Sequence, residues 1–593
     1  MISPSLRWSL WVLASCAVLG GCAPSTNVSV ATSTPSQYSH VYLTIQEVWF
    51  NTSSTATPED TTWQKFPLTT PITVDLASLT SGALGQIATA LKVPAGTYAQ
   101  MRLIPVDPSA ALTSSAQAAG AQYNSEVVFA DSSVSPQSLP LELLNPEKGI
   151  GIQGSITLKA NVSAAVGSLS GAVTSTSSSC TPTTDPATGA VTPCPTTTTA
   201  DTSTPTASTV SLAVTLDAVH DLVRFRYGGQ NGTGAQTGVL LSPHTAAYDT
   251  SLTGTISGTL DTTNASSSTG NIFVTAETLS ADGTRHTAVK TVQLSSSGGN
   301  FVLYPLPTGS ATSTGATSST TTTTTTPINY DLVIHGPGIA TVIIKSVPVS
   351  AGDPSSTSVT SVGTVSLRGA SSFTLNLPTS GQVVPAGALV SFYQTLPASG
   401  EVPYLIEATP MDPFSLTLFA SDSLSEETID YGTYVSGGNV TLTSATPTQG
   451  AGNYLLSAQA PLFADATLIT TVGSGTTLVT PPALTPAGAT SSTLSLTVSA
   501  ATPGKYDQGE LIVSHDGAVV QTVAIDRALT QNGGQNIIIG GLPGGASSSV
   551  YYLSVRAWRN AGGDPAGSLQ RQSFVTPVDL RSGSISGLTL TVN

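Results

Sequence analysis

The sequence predicts a mainly β protein, with several β-sandwich domains in tandem, one short helix in the first domain and long Ser/Thr-rich inserts. Three observations carry this. Stretches such as Val41-Tyr42-Leu43-Thr44-Ile45-Gln46 alternate apolar and polar residues with the period of two of a half-buried strand. A Pro-x-Gly turn recurs in Val93-Pro94-Ala95-Gly96, Leu306-Pro307-Thr308-Gly309, Val384-Pro385-Ala386-Gly387 and Leu542-Pro543-Gly544-Gly545. In such turns proline presets φ and glycine suits the position where the chain reverses. Finally, the 593 residues are only 9% charged, against about 25% in an ordinary soluble protein. Ser, Thr and Gly take the place of charge, as in exported proteins whose strands alternate Val, Leu or Ile with hydroxyl residues. A chain this long holds about three to five domains.

The charge balance also excludes. The formal net charge is −15 and no Lys/Arg cluster occurs, so no nucleic acid partner is expected, because that binding rests on neutralising phosphates. The sequence also lacks a basic patch for a membrane surface.

At the amino terminus, Arg7 precedes an apolar run from Trp8 to Leu19. The run is shorter than the roughly 20 residues that span a bilayer and suits the apolar segment of an export signal. It ends in Leu19-Gly20-Gly21-Cys22. This ending resembles the lipobox of bacterial lipoproteins, an aliphatic residue three before a cysteine with small residues between. The resemblance implies a signal peptide over residues 1–21, lipidation at Cys22 and a membrane partner through that anchor. Two or three acyl chains anchor stably where one is marginal, since buried lipid contributes about 0.8 kcal/mol per CH₂. Residues 22–35 are small and polar, with Pro24 and Pro35, and are expected to form a tether.

Cys16 leaves with the signal, so Cys180 and Cys194 remain. In an oxidising compartment their default reading is a disulfide. Closing a loop of that size is worth roughly 3 kcal/mol in the chain-entropy model. No second cysteine pair or histidine cluster stands nearby to complete a zinc site.

The first domain is expected over residues 36–248, with an insert at 164–208 that carries both cysteines. Strands are expected around Val41–Phe50, Trp63–Phe66 and Ile72–Leu76. Residues 82–92 place Leu84, Ile87, Ala88 and Leu91 at spacings of three and four and predict the short helix, ended by Pro94. After the turn comes Tyr98-Ala99-Gln100-Met101-Arg102-Leu103-Ile104. This succession, continuing in Gly149-Ile150-Gly151-Ile152, Leu216-Asp217-Ala218 and Leu240-Leu241-Ser242-Pro243, resembles the bacterial lipoprotein domain-of-unknown-function family 4382. The resemblance implies a β-rich fold and an envelope location, and brings no activity.

A second domain is expected over 249–368. Gly254–Leu260, Ile272–Ala276 and Gly299–Gly309 are strand-like, and Phe301 and Leu303 should share one face. This pattern is similar to the carboxypeptidase-regulatory-like, or Cna-B-like, β-sandwich, a non-catalytic module of transthyretin-like fold. There a Tyr-led strand follows the Leu-Pro-x-Gly turn at once; here Tyr330–Ile334 is delayed by a Thr-rich insert at 310–327, and is expected to pair beside Gly299–Gly309. A third β-domain is expected over 369–480 and a fourth over 485–593. The irregular spacing of the turns argues for repeated use of one sandwich plan, not a solenoid.

No nucleophile elbow, HExxH helix, phosphate loop or calcium-loop pattern occurs. The histidines (40, 220, 244, 286, 335, 515) lie far apart in sequence, and are expected to be satisfied surface or edge-strand residues. Glu426, Glu427 and Asp430, with Asp422, form the densest acidic cluster, a solvated loop in preference to a calcium site. Trp49, Trp63 and Trp558 are expected in cores in preference to a sugar-binding face. No catalytic residue, metal ligand or cofactor is nominated, and no ligand site can be assigned. The expected role is a membrane-anchored bacterial envelope lipoprotein of the outer membrane, facing periplasm or surface. It would act as a non-catalytic binding, adhesive or structural module with a glycan or envelope-protein partner. The alternatives are a hydrolase assembled from distant loops, or an accessory subunit of an envelope or secretion complex.

Overall fold

The computed structural model describes residues 25–33, 35–158, 183–184, 191–192, 209–227, 236–265, 271–309, 311–313, 323–325, 328–370, 372–376, 388–394, 402–410, 422–425, 429–435, 439–440, 442–444, 452–472, 476–478, 482–487, 490–559 and 569–593. The described chain is mainly β, in many small sheets. Its two α-helices are single short pieces, Ser114–Ala119 and Asp526–Thr530.

One plan recurs in all four units. Each contains a strand held between an antiparallel partner on one side and a parallel partner, later in the chain, on the other. In the first unit Ser25–Thr32 lies between Gly85–Lys92 and Thr209–Leu216. In the second, Thr253–Asn264 lies between Gly299–Pro307 and Thr360–Arg368. Ser372–Asn376 does so between Asp422–Ser425 and Thr476–Leu478, and Thr490–Ala500 between Gln535–Gly544 and Ile585–Val592. The parallel partner explains why each unit needs a long stretch of chain to close, since parallel neighbours cannot be joined by a hairpin.

The segment expected to be a tether is therefore a strand over Ser25–Thr32, with Val28, Val30 and Ala31 buried. Its composition is that of a linker, but its Val residues alternate with Ser and Asn, and both its partners come from far along the chain. Nothing local announces them.

The helix expected over 82–92 is also corrected: Gly85–Lys92 is a strand. Its pairing with Ser25–Thr32 shifts register twice, between Thr26 and Val28 and again between Val28 and Ser29. Bulges of this kind put consecutive residues on one face. Ile87 and Ala88 are both buried, and the bulged pattern imitates helical spacing. Gly85 packs so tightly on Val74 that a Cβ there would stand 2.4 Å from Val74 Cγ1. Among the described residues the unit's one α-helix is instead Ser114–Ala119, where Thr113 Oγ1 accepts from Ala116 N at 3.3 Å as the N-cap.

Across the first core stands a larger sheet in the order 222–227, 236–241, 138–142, 125–129, 38–51, 96–105, 150–158, with 64–75 also paired to 38–51. Val41, Leu43, Ile45, Val48 and Phe50 face the core from its long strand. In the second unit the facing sheet runs 286–294, 272–279, 328–335, 341–349 and then 429–435. Phe301 and Leu303 are buried side by side as the alternation predicts. Tyr330–Ile334 does not pair beside them. Ile328–His335 lies in the opposite sheet, between Ile272–Leu279 and Thr341–Val349. The chain leaves one sheet after Pro307 and enters the other, which a sandwich requires at some connection. Part of the Thr-rich insert forms a separate small ribbon, Ala311–Ser313 with Thr323–Thr325. Ile429–Val435, grouped by sequence with the third domain, pairs parallel with Thr341–Val349 of the second.

Candidate binding site between the first and second units

The strands Thr209–Leu216 and Thr245–Asp249 of the first unit face residues 288–291, 304–308 and 351–353 of the second across two cavities. A turn of the first unit reaches across at Gly82. Its φ of +77° is left-handed, and a Cβ there would stand 2.9 Å from Pro354 Cγ and 3.1 Å from Tyr304 Cβ. Only glycine combines that backbone with that approach.

On one side of this seam lies a cavity of about 840 Å³. The first unit lines it with Thr209, Ser211, Tyr248 and Asp249, and the second with Tyr304, Thr308 and Asp353 among others. Both carboxylates are positioned by their own turns. Asp249 Oδ1 accepts from Ser251 N at 2.9 Å and Ser251 Oγ at 2.7 Å; Asp353 Oδ1 accepts from Ser355 N at 2.8 Å and Oγ at 2.6 Å. These bonds from Ser355 hold Asp353 below the usual carboxylate range. Burial pushes the phenols of Tyr248 and Tyr304 up, so both are neutral donors at physiological pH.

On the other side is a second cavity of about 440 Å³, lined by Ser33, Asp217, His244, Tyr248 and Lys290 among others. It is backed by charge. Asp217 faces His220 at 2.6 Å, and Asp221 faces His244 at 2.8 Å, while Asp221 Oδ2 accepts from Asp217 N at 2.8 Å. Burial opposes the charge on Asp217, but His220, Ser33 and Lys290 outweigh it and keep the carboxylate far below its ordinary value. Burial pushes Lys290 down to about 8 and His335 down to about 3, the latter with help from nearby His220. Three histidines that lie apart in sequence are thus gathered by the fold.

The fourth unit docks on the far side of the first. Glu142 Oε2 accepts from Arg556 at 2.5 Å and Oε1 accepts from Arg571 at 2.6 Å. Burial resists the charge on Glu142, yet the two guanidinium groups prevail and lower its pKa. Arg556 also stands over the Phe225 ring at 3.8 Å. Around them Tyr552 donates to Glu59 at 2.6 Å, Lys148 pairs with Glu59 at 2.8 Å, and Arg102 pairs with Asp516. Leu144, Phe225, Leu240, Ile512 and Val519 form an apolar cluster across the same contact.

Of the residues nominated from sequence, Cys22, Cys180 and Cys194 lie outside the described residues, as do Glu426 and Glu427. Trp49 and Trp63 are buried against each other with centroids 5.9 Å apart, and Trp558 is buried in the fourth unit. Among the described residues no group of three or more His, Cys, Asp or Glu is placed to hold a metal. Sequence reading missed Glu142 and Arg556. A signal existed: Arg556 is the one charged residue of the mostly apolar strand Val550–Trp558 in a chain with few charges.

Residues 25–163 match the family model described as Domain of unknown function (DUF4382). No curated protein matches the chain. Among solved structures, the Bacillus anthracis TIE protein is similar at 11% identity and a TM-score of 0.15, over 64% of this chain and 58% of that one. The present chain thus spans less than two thirds of that protein's length. A double mutant of the shaft pilin SpaA from Lactobacillus rhamnosus GG is similar at 11% identity and a TM-score of 0.16, over 37% of this chain and 97% of the pilin. The major pilin protein T-13 from Streptococcus pyogenes is similar at 10% identity and a TM-score of 0.12, over 37% and 96%.

Proposed function

We propose that this chain is a lipid-anchored, non-catalytic module of the bacterial envelope, attached to the outer membrane through Cys22 and serving as a structural or adhesive scaffold. The observation that carries the scaffold reading is the buried contact of Glu142 with Arg556 and Arg571, which joins the first and last units. A buried ion pair is weak evidence for stability but defines one geometry, because either partner left alone is a costly buried charge. Units so joined form a fixed assembly in place of beads on a string. The second unit is read as a carboxypeptidase-regulatory-like sandwich, and the partner as a glycan or another envelope protein.

The strand beginning at Ser25 sharpens the anchoring proposal. Only Ala23 and Pro24 separate it from Cys22. Three residue steps reach about 10 Å at most, so an acylated Cys22 holds the first unit directly against the bilayer.

The test is fractionation of cells expressing wild type or Cys22→Ala, with mass measurement of the amino-terminal peptide. Wild type is expected in the membrane fraction with an acylated peptide starting at Cys22, and the variant as precursor or soluble protein. Identical fractionation and peptide mass for the two would overturn the reading.

A further inference from the structure

We propose that the 840 Å³ cavity between the first and second units is a binding site for a neutral, hydroxyl-rich ligand, the chemistry of an oligosaccharide. Its size falls within the roughly 300–1,000 Å³ of small-molecule sites, and junctions between domains are where such sites favour forming.

The lining selects the ligand class. Among the described residues it contains no Lys, Arg, His or Cys. A phosphate, sulfate or carboxylate would meet two aspartates and no compensating cation among the described residues, a wall that disfavours anionic ligands. Among the described residues soft metal donors are missing from the wall as well. What the wall offers is hydrogen bonding in both senses. The Tyr248 phenol donates, as does the Tyr304 phenol where it is not engaged with the Thr253 side chain; Thr209 and Ser211 donate or accept, Thr308 Oγ1, whose own proton goes to Leu252 O at 2.8 Å, accepts, and the aspartates accept. The caps on Asp249 and Asp353 use Oδ1 in both cases, so Oδ2 takes no part in either cap. Carboxylates oriented in this way match the hydroxyl donors of a sugar, and hydrogen bonds to charged acceptors are about twice as strong as neutral ones. Val210, Leu252 and Pro307 supply apolar patches for the C–H faces of a pyranose ring.

The site exists only when the two units are seated together, because its halves come from Thr209–Asp249 on one side and Tyr304–Asp353 on the other. It is independent of acylation at Cys22, so failure of the anchoring proposal leaves it standing, and the reverse holds too.

The test uses the whole mature chain with Cys22 replaced by Ala, on a printed array of neutral oligosaccharides from disaccharides to hexasaccharides. The strongest array hit is then titrated calorimetrically. Vesicles of phosphatidylcholine with and without digalactosyldiacylglycerol form a parallel arm, which separates a membrane glycolipid from a free polysaccharide as the source. Binding in either arm is expected, weakened about tenfold or more, the equivalent of about 1.4 kcal/mol, by Tyr248→Ala and by Asp353→Asn. Melting temperatures should stay within those of wild type, and Tyr123→Ala on the exposed surface should bind as wild type does. Folded protein that binds in neither arm would overturn the proposal. So would binding that neither variant weakens, or displacement of the sugar by millimolar spermidine, which would assign the aspartates to a cationic ligand.

Discussion

The Tyr330 hydroxyl donates to the carbonyl of Pro307 at 2.6 Å, across 23 residues of chain. The same relationship joins Tyr98 to Pro94 at 2.8 Å in the first unit and Tyr551 to Pro543 in the fourth. In each case the proline ends or follows the antiparallel partner of the sheltered strand, and the tyrosine lies near the start of the next long strand, which belongs to the facing sheet. The bond pins the place where the chain crosses the sandwich. It also gives three of the four Pro-x-Gly turns a shared purpose: in each the proline carbonyl is met by a phenol.

Tyr330→Phe should lower the stability of the second unit by about 1–3 kcal/mol, because the Pro307 carbonyl loses its partner with little change in packing. Denaturant unfolding checks this. An unchanged midpoint would show that the crossing is held by packing alone.

Phe301→Ala should cost roughly 3–5 kcal/mol, since the ring is buried in the second core and leaves a cavity. Deleting residues 311–326 should leave the same unit folded. Among the described residues the ribbon there pairs only with itself, and loop closure changes by only about 0.6 kcal/mol per doubling of length. Calorimetry on the two variants should give opposite outcomes.

Glu142→Ala should destabilise the contact between the first and fourth units by about 3–5 kcal/mol by removing the buried carboxylate that Arg556 and Arg571 share, whereas adding Arg556→Met should recover much of that loss. Glu142 has a lowered pKa in the fold, so its contribution is present above the unfolded value of about 4.3 and is lost as pH falls through the folded value. Limited proteolysis between the units should accelerate in the single variant, and in wild type only in acid.

His335 should make the second unit acid-sensitive at a higher pH. Its folded pKa is about 3, against an ordinary value of 6.5, so below pH 6.5 the unfolded chain takes up a proton that the fold refuses. Stability from this group is whole above 6.5 and falls as pH drops toward 3, with a slope of at most about 1.4 kcal/mol per pH unit. Replacing His335 by Phe, which keeps a ring to stack on Phe273, should flatten that part of the melting profile.

Cys180 and Cys194 should be found linked when peptides are mapped without reductant. Their double Ser variant should melt close to wild type if the closed loop lies outside the cores. Free thiols in freshly purified protein would contradict the pairing.

Strand character, the mainly β class and the burial of Phe301 and Leu303 were legible in sequence, because each rests on a period of two that neighbouring residues display by themselves. The recurrence of one sandwich plan was legible through its turns. What only the tertiary structure decided is which strands are neighbours. Ser25–Thr32 looks like a linker until Thr209–Leu216 arrives beside it, and the bulged strand at Ile87 and Ala88 looks like a helix until its register is seen. Tyr330 keeps its strand but changes sheet. The cavity joining Tyr248 to Tyr304, and the meeting of Glu142 with Arg556 across 414 residues, have no local signature at all. Local pattern reports which face of an element is apolar. Long-range pairing is set by the free energy of burying all those faces at once, and no short stretch of sequence contains that sum.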